Sequence, residues 1–500
     1  MNCPPRFFQY PKLNEAWDAE LTSFVEKTSA VFDEGAQPSP LFLASLAAIP
    51  KRQTPPVSPW KLGIRLPMHR SRFLHPDTLA HIAMRIRTAT TKPAQTTADS
   101  TQPARPVRVL IVDTAIAFGG TLAVARNLLK HLDANRVDAT LVSACSDGFV
   151  SRGFAGDTEI RLLMPAINYV KLANWKIAIR KRFRSPVLQR ALEFAAMATE
   201  MLANTLYLVR LLLLYRRKRI DVLHVNNYMM EPIRAARLLG VPIVYQLHGI
   251  LANNLDRSGR RNFRHVQAFV SISNAVTESA IQAGVDRTRI RLIHNFVEHA
   301  TDGSPPPLPA EPAIGIFGRV NRWKGQKEFL RAALKVLPRF PHLRVYIVGD
   351  ASDSDAQYFS ECRALAQSSE FSDRIEFTGL VRDVTAYYRR CTIVVLASLI
   401  PEGFGMVLIE AMAQARPVIA SICGATREIV EDGVDGFLVD PSDTRLMVDR
   451  IAETLSDSMR ATRMGLNGYS KVRARYEPHI AARRFERLYL DVAGSRTDAR

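Results

Sequence analysis

The residues best suited to chemistry lie in the stretch SLIPEGFGMVLIEAMAQARPVIAS, where Glu402 and Glu410 stand eight residues apart. Glu402 follows the apolar run TIVVLAS (392–398) and shares its loop with Gly403 and Gly405. Glu410 falls inside an otherwise uncharged helical stretch, MVLIEAMAQA. A carboxylate buried without donors is costly, and ligand hydroxyls would satisfy one. Flanking glycines let backbone approach a ligand and aim N–H groups at it from a helix start. Setting matters more than spacing, because Glu26 and Glu34 share the interval in a charged segment that a solvated helix explains. A helix cap plus a satisfied core carboxylate is the plainer alternative for Glu402 and Glu410.

A second cluster is GRVNRWKG (318–325), also after an apolar run and opening a helix. Arg319 with its bidentate fork and Lys324 as a point charge could both reach a pyrophosphate. Two exposed basic residues in a turn would look the same. The G-x-x-x-x-G-K-[ST] loop is absent. Gly119 and Gly120 lie between the first apolar run and its helix, a weak anion-site signal. They lack the G-x-G-x-x-G fingerprint, which argues against a dinucleotide. His248 closes the run PIVYQLHG (242–249); a lone histidine there is more often structural than catalytic. Asp353 and Asp355 form a D-x-D in a polar loop, read as a solvated turn with no metal. Ser271 and Ser273 lack a G-x-S-x-G elbow, so a hydrolase triad has no support.

Those residues need strands to carry them. From VRVLIVD (107–113) onward, short apolar runs alternate with helical stretches: 139–145, 220–227, 242–249, 268–273 and 290–295. TDGSPPPLPAEP interrupts the pattern, and it restarts at 313–318, 344–350, 374–379, 392–398, 417–421 and 436–440. Strand–helix alternation predicts right-handed βαβ units and parallel sheets. The expectation is an α/β chain of two doubly wound Rossmann-like domains facing a cleft, with ligand at the carboxyl ends of the strands. The N-terminal domain is expected over 106–300 and the C-terminal one over 312–470, with a helix at 471–492 packing back on the first. Residues 1–105 form an extension without assignable chemistry. It has helical spacing near Leu13–Phe32 and Leu79–Arg87, and it ends in the polar, Pro-containing TKPAQTTADSTQPARP.

Composition narrows the class. The 500 residues are 47% hydrophobic and 23% charged, which excludes a disordered or fibrous chain. Five scattered cysteines suggest neither a zinc site nor a disulfide framework. The first twenty residues lack an apolar signal-peptide core, which predicts a cytoplasmic protein. The net charge is +19. Between Lys171 and Arg219, twelve lysines and arginines stand against Glu193 and Glu200, interleaved with large apolar residues. That mixture suits an anionic bilayer surface, or equally a solvated basic helix face. A membrane span at 191–214 would bury charges at about 2.5–3.5 kcal/mol each and is not expected. No recognisable module supports nucleic acid as a partner.

At these residues the chain resembles the retaining glycosyltransferases of family 4, with the GT-B fold. The resemblance runs from about Val107 to Val492. It is strongest through IGIFGRVNRWKGQKEFL, FTGLVRDVTAYYRRCTIVVLAS, PEGFGMVLIEAMAQARPVIAS and GATREIVEDGVDGFLVDPSD. It implies a C-terminal domain that binds a nucleoside-diphosphate sugar as co-substrate, without cofactor or metal. Arg319 and Lys324 would hold the diphosphate, and Glu410 the ribose hydroxyls. Glu402 and the amides of Gly403, Phe404, Gly405 and Met406 would address the transferred sugar and diphosphate. Gly119 and Gly120 would approach the phosphates from the other domain, and His248 would lie beside the transferred sugar. Glu402, His248, Arg319 and Lys324 are thus the expected catalytic set. The acceptor would be a sugar, lipid-linked or polysaccharide molecule in bacterial surface polysaccharide or glycolipid assembly. A nucleotide-sugar epimerase and a non-catalytic scaffold are the alternatives on the same fold. The chain departs from the family pattern in a loop one residue longer before Glu402, and in residues 1–105.

Overall fold

The computed structural model describes residues 105–113, 120–143, 159–161, 179, 182–183, 185–226, 231–251, 257–298, 304–352, 355–381 and 383–494. The expected N-terminal helices, Gly119 and Asp353 lie outside them. The chain divides into two compact units, one of residues 1–94 and 166–210, the other of 95–165 and 211–500.

The larger unit holds two parallel sheets. The first orders its strands β3-β2-β1-β4-β5-β6-β7. These are β1 (Val107–Asp113), β2 (Val137–Ser143), β3 (Glu159–Arg161), β4 (Val222–Val225), β5 (Ile243–Leu247), β6 (Ala268–Ser271) and β7 (Ile290–Leu292). The second is β10-β9-β8-β11-β12-β13. It contains β8 (Ala313–Phe317), β9 (Arg344–Val348), β10 (Ile375–Gly379), β11 (Ile393–Leu396), β12 (Val418–Ser421) and β13 (Gly436–Val439). Every pairing is parallel. Strands such as VLHV, AIGIF and IVVL are buried along their whole length, as sheets covered on both faces require. Strand β3 escaped sequence reading because three edge residues carry no measurable period.

The strand order reverses between β1 and β4 in the first sheet and between β8 and β11 in the second. Such switch points open crevices at the carboxyl ends of the strands. Helices α1 (Gly120–His131), α2 (Pro186–Lys218), α3 (Glu231–Leu239), α4 (Arg257–Phe263) and α5 (Asn274–Gln282) precede β8. Helices α6 (Gln326–Val336), α7 (Ala356–Gln367), α8 (Val384–Arg390), α9 (Met406–Met412), α10 (Thr426–Ile429), α11 (Thr444–Ser456), α12 (Ser458–Arg475) and α13 (Pro478–Gly494) follow.

The segment expected as one helix over 471–492 is broken. Helix α12 ends at Arg475, Tyr476 turns out with φ −124°, and Pro478 opens α13. Proline suits that place, since a first-turn N–H has no intrahelical partner to lose. Helix α13 buries Phe485, Leu488, Tyr489 and Val492 in the core of the first sheet, beside Leu122 and Leu128 of α1 and Val109 and Ile111 of β1. Burying side chains of this size contributes about 1.5–3 kcal/mol each. Glu486, 3% exposed, accepts from the Asp133 amide at 2.9 Å and from Arg136 at 2.9 Å. The last helix of the chain is therefore built into the first sheet's core.

Helix α2 exposes Val187, Leu188, Phe194, Met197, Leu202 and Leu206 along with Arg190, Arg210, Arg216 and Arg217. Among the described residues no helix is long and apolar enough to cross a membrane.

Candidate functional site

Glu402 lies beyond the end of β11, and two groups fix it. The hydroxyl of Ser398, a residue 1% exposed, donates to Oε1. The Lys324 ammonium donates to the same oxygen at 2.6 Å. The carboxylate and ammonium side chains are 16% and 31% exposed, so the pair is shielded yet still reached by solvent. The four-residue reach from Ser398 to Glu402 shows how the longer loop still returns the carboxylate to the strand end.

Lys324 closes a 3-10 turn that begins after Asn321, whose side chain accepts from the Lys324 amide at 3.1 Å. Gly325 then takes φ +68°, and a Cβ there would lie 2.0 Å from the carbonyl oxygen of Ala397. That contact and the Leu399 amide on the Trp323 carbonyl, 2.7 Å, clamp the lysine loop to the end of β11. Buried Gln326 reaches back from α6 and donates to the Arg319 carbonyl at 2.9 Å. Arg319 itself is exposed, and its guanidinium has no protein partner among the described residues. A guanidinium and an ammonium carried by one loop at the switch point of a parallel sheet are suited to an anion.

Glu410, in α9, accepts from the Tyr388 hydroxyl at 2.7 Å. The Tyr388 ring stacks on Phe317, the last residue of β8, with centroids 4.1 Å apart. Burial pushes the Glu410 carboxyl up, and the Tyr388 hydrogen bond offsets part of the rise. Burial pushes the Tyr388 hydroxyl up too, helped by the neighbouring Glu410 charge. A carboxylate held this way gains from any further donor a ligand brings.

His248 follows β5. Its Nε2 meets Asn226 Oδ1 at 3.0 Å, just past β4. Burial pushes His248 down to about 4, with the Asn226 backbone offsetting part of it. Burial likewise pushes His224 down to about 3, assisted by His248; its Nδ1 meets the Tyr489 hydroxyl at 2.7 Å. Both imidazoles are neutral at pH 7. The unfolded chain binds their protons more tightly than the folded one, so they favour folding above about pH 6.5 and the gain is lost on acidification. We expect stability in chemical unfolding to fall between about pH 6.5 and 4, with His248→Asn flattening that slope. An unchanged slope in the variant would remove His248 from the account.

The carboxyl ends of the two sheets meet directly. A Cβ on Gly403 would lie 2.8 Å from the His248 carbonyl, so only glycine fits there. The Ser273 hydroxyl caps α5 and donates to the Gly403 carbonyl at 2.7 Å. Glu428 accepts from the Asn274 and Ala275 amides, both at 2.7 Å, at the start of the same helix. Glu402, Lys324, Gly403 and His248 thus form one continuous set. Gly405 caps α9 with φ +102°. Gly120 opens α1 and is exposed, but no contact among the described residues joins it to this set.

Phe404 was expected at the site through its backbone amide, and its side chain turns away from the surface. It is 4% exposed and packs edge-on against Tyr476 at 5.7 Å, so only its backbone can face a ligand. Met406 packs partly against the first sheet's core. Sequence reading missed Ser398, Tyr388, Asn226, Ser273 and Glu428. Ser398 and Asn226 had a signal, since each ends an apolar run at a carboxyl edge. Tyr388 and Glu428 had none, because their roles come from contacts across elements.

Residues 311–457 match the family described as glycosyl transferases group 1, and residues 118–301 match glycosyltransferase family 4. The lipopolysaccharide core biosynthesis mannosyltransferase LpcC of Rhizobium leguminosarum bv. viciae is 30% identical over 286 residues, 56% of this chain and 80% of that protein. The chain belongs to glycosyltransferase family 4. The mannosyltransferase LpsB of Rhizobium meliloti is 30% identical over 183 residues, 36% of this chain and 52% of its own. Among solved structures, Anabaena HepE in complex with UDP and glucose superposes with a TM-score of 0.59 at 20% identity, covering 77% of this chain and all of its own. The lipopolysaccharide outer core galactosyltransferase WaaB gives 0.54 at 17% identity, covering 76% and 97%. These likenesses establish the fold that a family 4 glycosyltransferase adopts.

Proposed function

We propose that this glycosyltransferase moves a hexose-like sugar from a nucleoside diphosphate to an acceptor in bacterial surface glycan or glycolipid assembly, with retention of configuration and without metal. The carrying observation is the Lys324–Glu402–Ser398 cluster at the β8/β11 switch point, in the same loop as exposed Arg319. Departure of a nucleoside diphosphate builds negative charge, and preorganised cations stabilise it without reorganisation. Lys324 and Arg319 supply those cations. Glu402 holds the lysine in place before the donor arrives, and its other oxygen is left for the sugar. Glu410, fixed by Tyr388, takes the ribose hydroxyls. The amides from Gly403 to Met406 and neutral His248 complete the sugar's surroundings.

The mannosyl- and galactosyltransferase relatives of lipopolysaccharide assembly support a surface-glycan acceptor. The test is calorimetric titration with UDP, GDP and ADP in EDTA. One nucleotide should bind, and Glu410→Ala should weaken it about tenfold or more, a loss of roughly 1.4 kcal/mol. Absence of binding by all three would sink the donor site.

The exposed apolar and basic residues of α2 support contact with an anionic bilayer. In flotation assays the protein should rise with vesicles containing anionic phosphatidylglycerol, less so at high salt. Indifference to the anionic lipid would count against it.

A further inference from the structure

Behind His248 lies a chain of buried polar groups that the mechanism above leaves unused. Asn226 is 0% exposed and Asp113, at the end of β1, is 1% exposed. Asn226 Nδ2 donates to Asp113 Oδ2 at 2.6 Å and to the Thr121 carbonyl at 3.1 Å. Its Oδ1 faces His248 Nε2 at 3.0 Å. We propose that Asn226, anchored by Asp113 and Thr121, is a positioning residue that locks His248 in the Nε2–H tautomer and so makes Nδ1 an obligate acceptor.

An amide carries two N–H donors on one side and an acceptor on the other. A backbone carbonyl can only accept, so the Thr121 contact by itself sets which way the amide faces. Flipping Asn226 would set its oxygen against both that carbonyl and the Asp113 carboxylate, leaving these buried acceptors without a donor at a cost of about 1–3 kcal/mol for each unsatisfied group. Unflipped, the amide presents only an acceptor to His248 Nε2. That nitrogen must therefore carry the hydrogen. Burial keeps the ring neutral, with a single N–H to place. Nδ1 is left with its lone pair.

The consequence rests on the donor reading above. A ligand group meeting Nδ1 must bring a hydrogen, so this position selects a sugar hydroxyl and discriminates against a deoxy or methoxy analogue. A site built to bond a hydroxyl rejects analogues that lack it far more strongly than an apolar pocket can. The three partners come from β1, the start of α1 and the end of β4, which meet at the first sheet's switch point.

The test is long-range ¹H–¹⁵N NMR of the ligand-free full chain labelled with ¹⁵N-histidine, His248 being assigned from the signal lost in His248→Gln. Wild-type protein should show Nε2–H alone at His248. Asn226→Ala should give a mixture of tautomers and raise KM for the nucleotide sugar about tenfold, while affinity for the nucleoside diphosphate stays within about twofold. Asp113→Asn keeps an acceptor for the Asn226 amide, and the Thr121 carbonyl still sets which way that amide faces, so this variant should retain Nε2–H alone. It serves if the alanine variant does not fold. An Nδ1–H signal in wild type, an unmixed tautomer in Asn226→Ala, or a mixture of tautomers in Asp113→Asn overturns the lock. Because the tautomer is read without ligand, a blank nucleotide titration would sink the donor reading and leave this result standing.

Discussion

Lys324→Ala should lower kcat for sugar transfer by about 10²–10³-fold, the loss of roughly 2.7–4 kcal/mol seen when one preorganised donor to a developing anion is removed. The reason is local. Lys324 is two-thirds shielded from solvent, held at 2.6 Å from Glu402 and backed by Ser398, so its charge acts in a medium less screening than water. Its stabilisation grows as the diphosphate departs, which confines most of the loss to kcat. Lys324→Arg should recover activity only in part, because a planar fork does not replace a point charge seated against one carboxylate oxygen. Steady-state kinetics on the three proteins decides it. A change below about threefold in Lys324→Ala would remove the ammonium from the chemistry.

Gly325→Ala should be the most damaging methyl group that can be added near the site. The residue sits at φ +68°, where a Cβ costs about 1–2 kcal/mol, and the added carbon would fall 2.0 Å from the Ala397 carbonyl oxygen. Real Cβ atoms do not approach backbone so closely, so the turn must lift away from β11. We expect about 2–4 kcal/mol of destabilisation in urea unfolding, within the range of named backbone defects, and a kcat loss at least as large as that of Lys324→Ala. Gly494→Ala is the control, since a methyl there would meet no atom within 4 Å and the backbone is not in the left-handed region. Equal stability of the two variants would refute the clamp.

These two residues also mark how far the sequence could be read. Lys324 was legible because its type, a basic residue in a glycine-flanked turn after an apolar run, already names an anion site. Gly325 was legible as a turn residue, yet nothing in R-W-K-G announces that Ala397, far along the chain, leaves no room for a methyl. The same division separates Glu410 from Tyr388. A lone carboxylate in an apolar helix is conspicuous along the chain, but its hydroxyl partner becomes visible only when α8 and α9 lie side by side. His248 was conspicuous as well, whereas Asn226 looked like an ordinary polar residue closing a strand.

Local pattern carried the architecture for a physical reason. A strand covered on both faces must be continuously apolar, so β1, β4, β8 and β11 could be found without their neighbours. Strand–helix alternation then allows only parallel pairing with right-handed crossovers. Edge strand β3 and the break at Tyr476 were not legible, since neither depends on a repeating pattern. The sequence by itself determined the two-sheet α/β class, the family, and which loops carry charge at the strand ends. Only the tertiary structure decided which charges pair, that Phe404 faces inward, that α13 completes the first core, and that Asp113, Asn226 and His248 form one chain. Pattern is a property of neighbours along the backbone. Hydrogen-bond partners, exclusion of a Cβ and the choice of a tautomer are properties of neighbours in space.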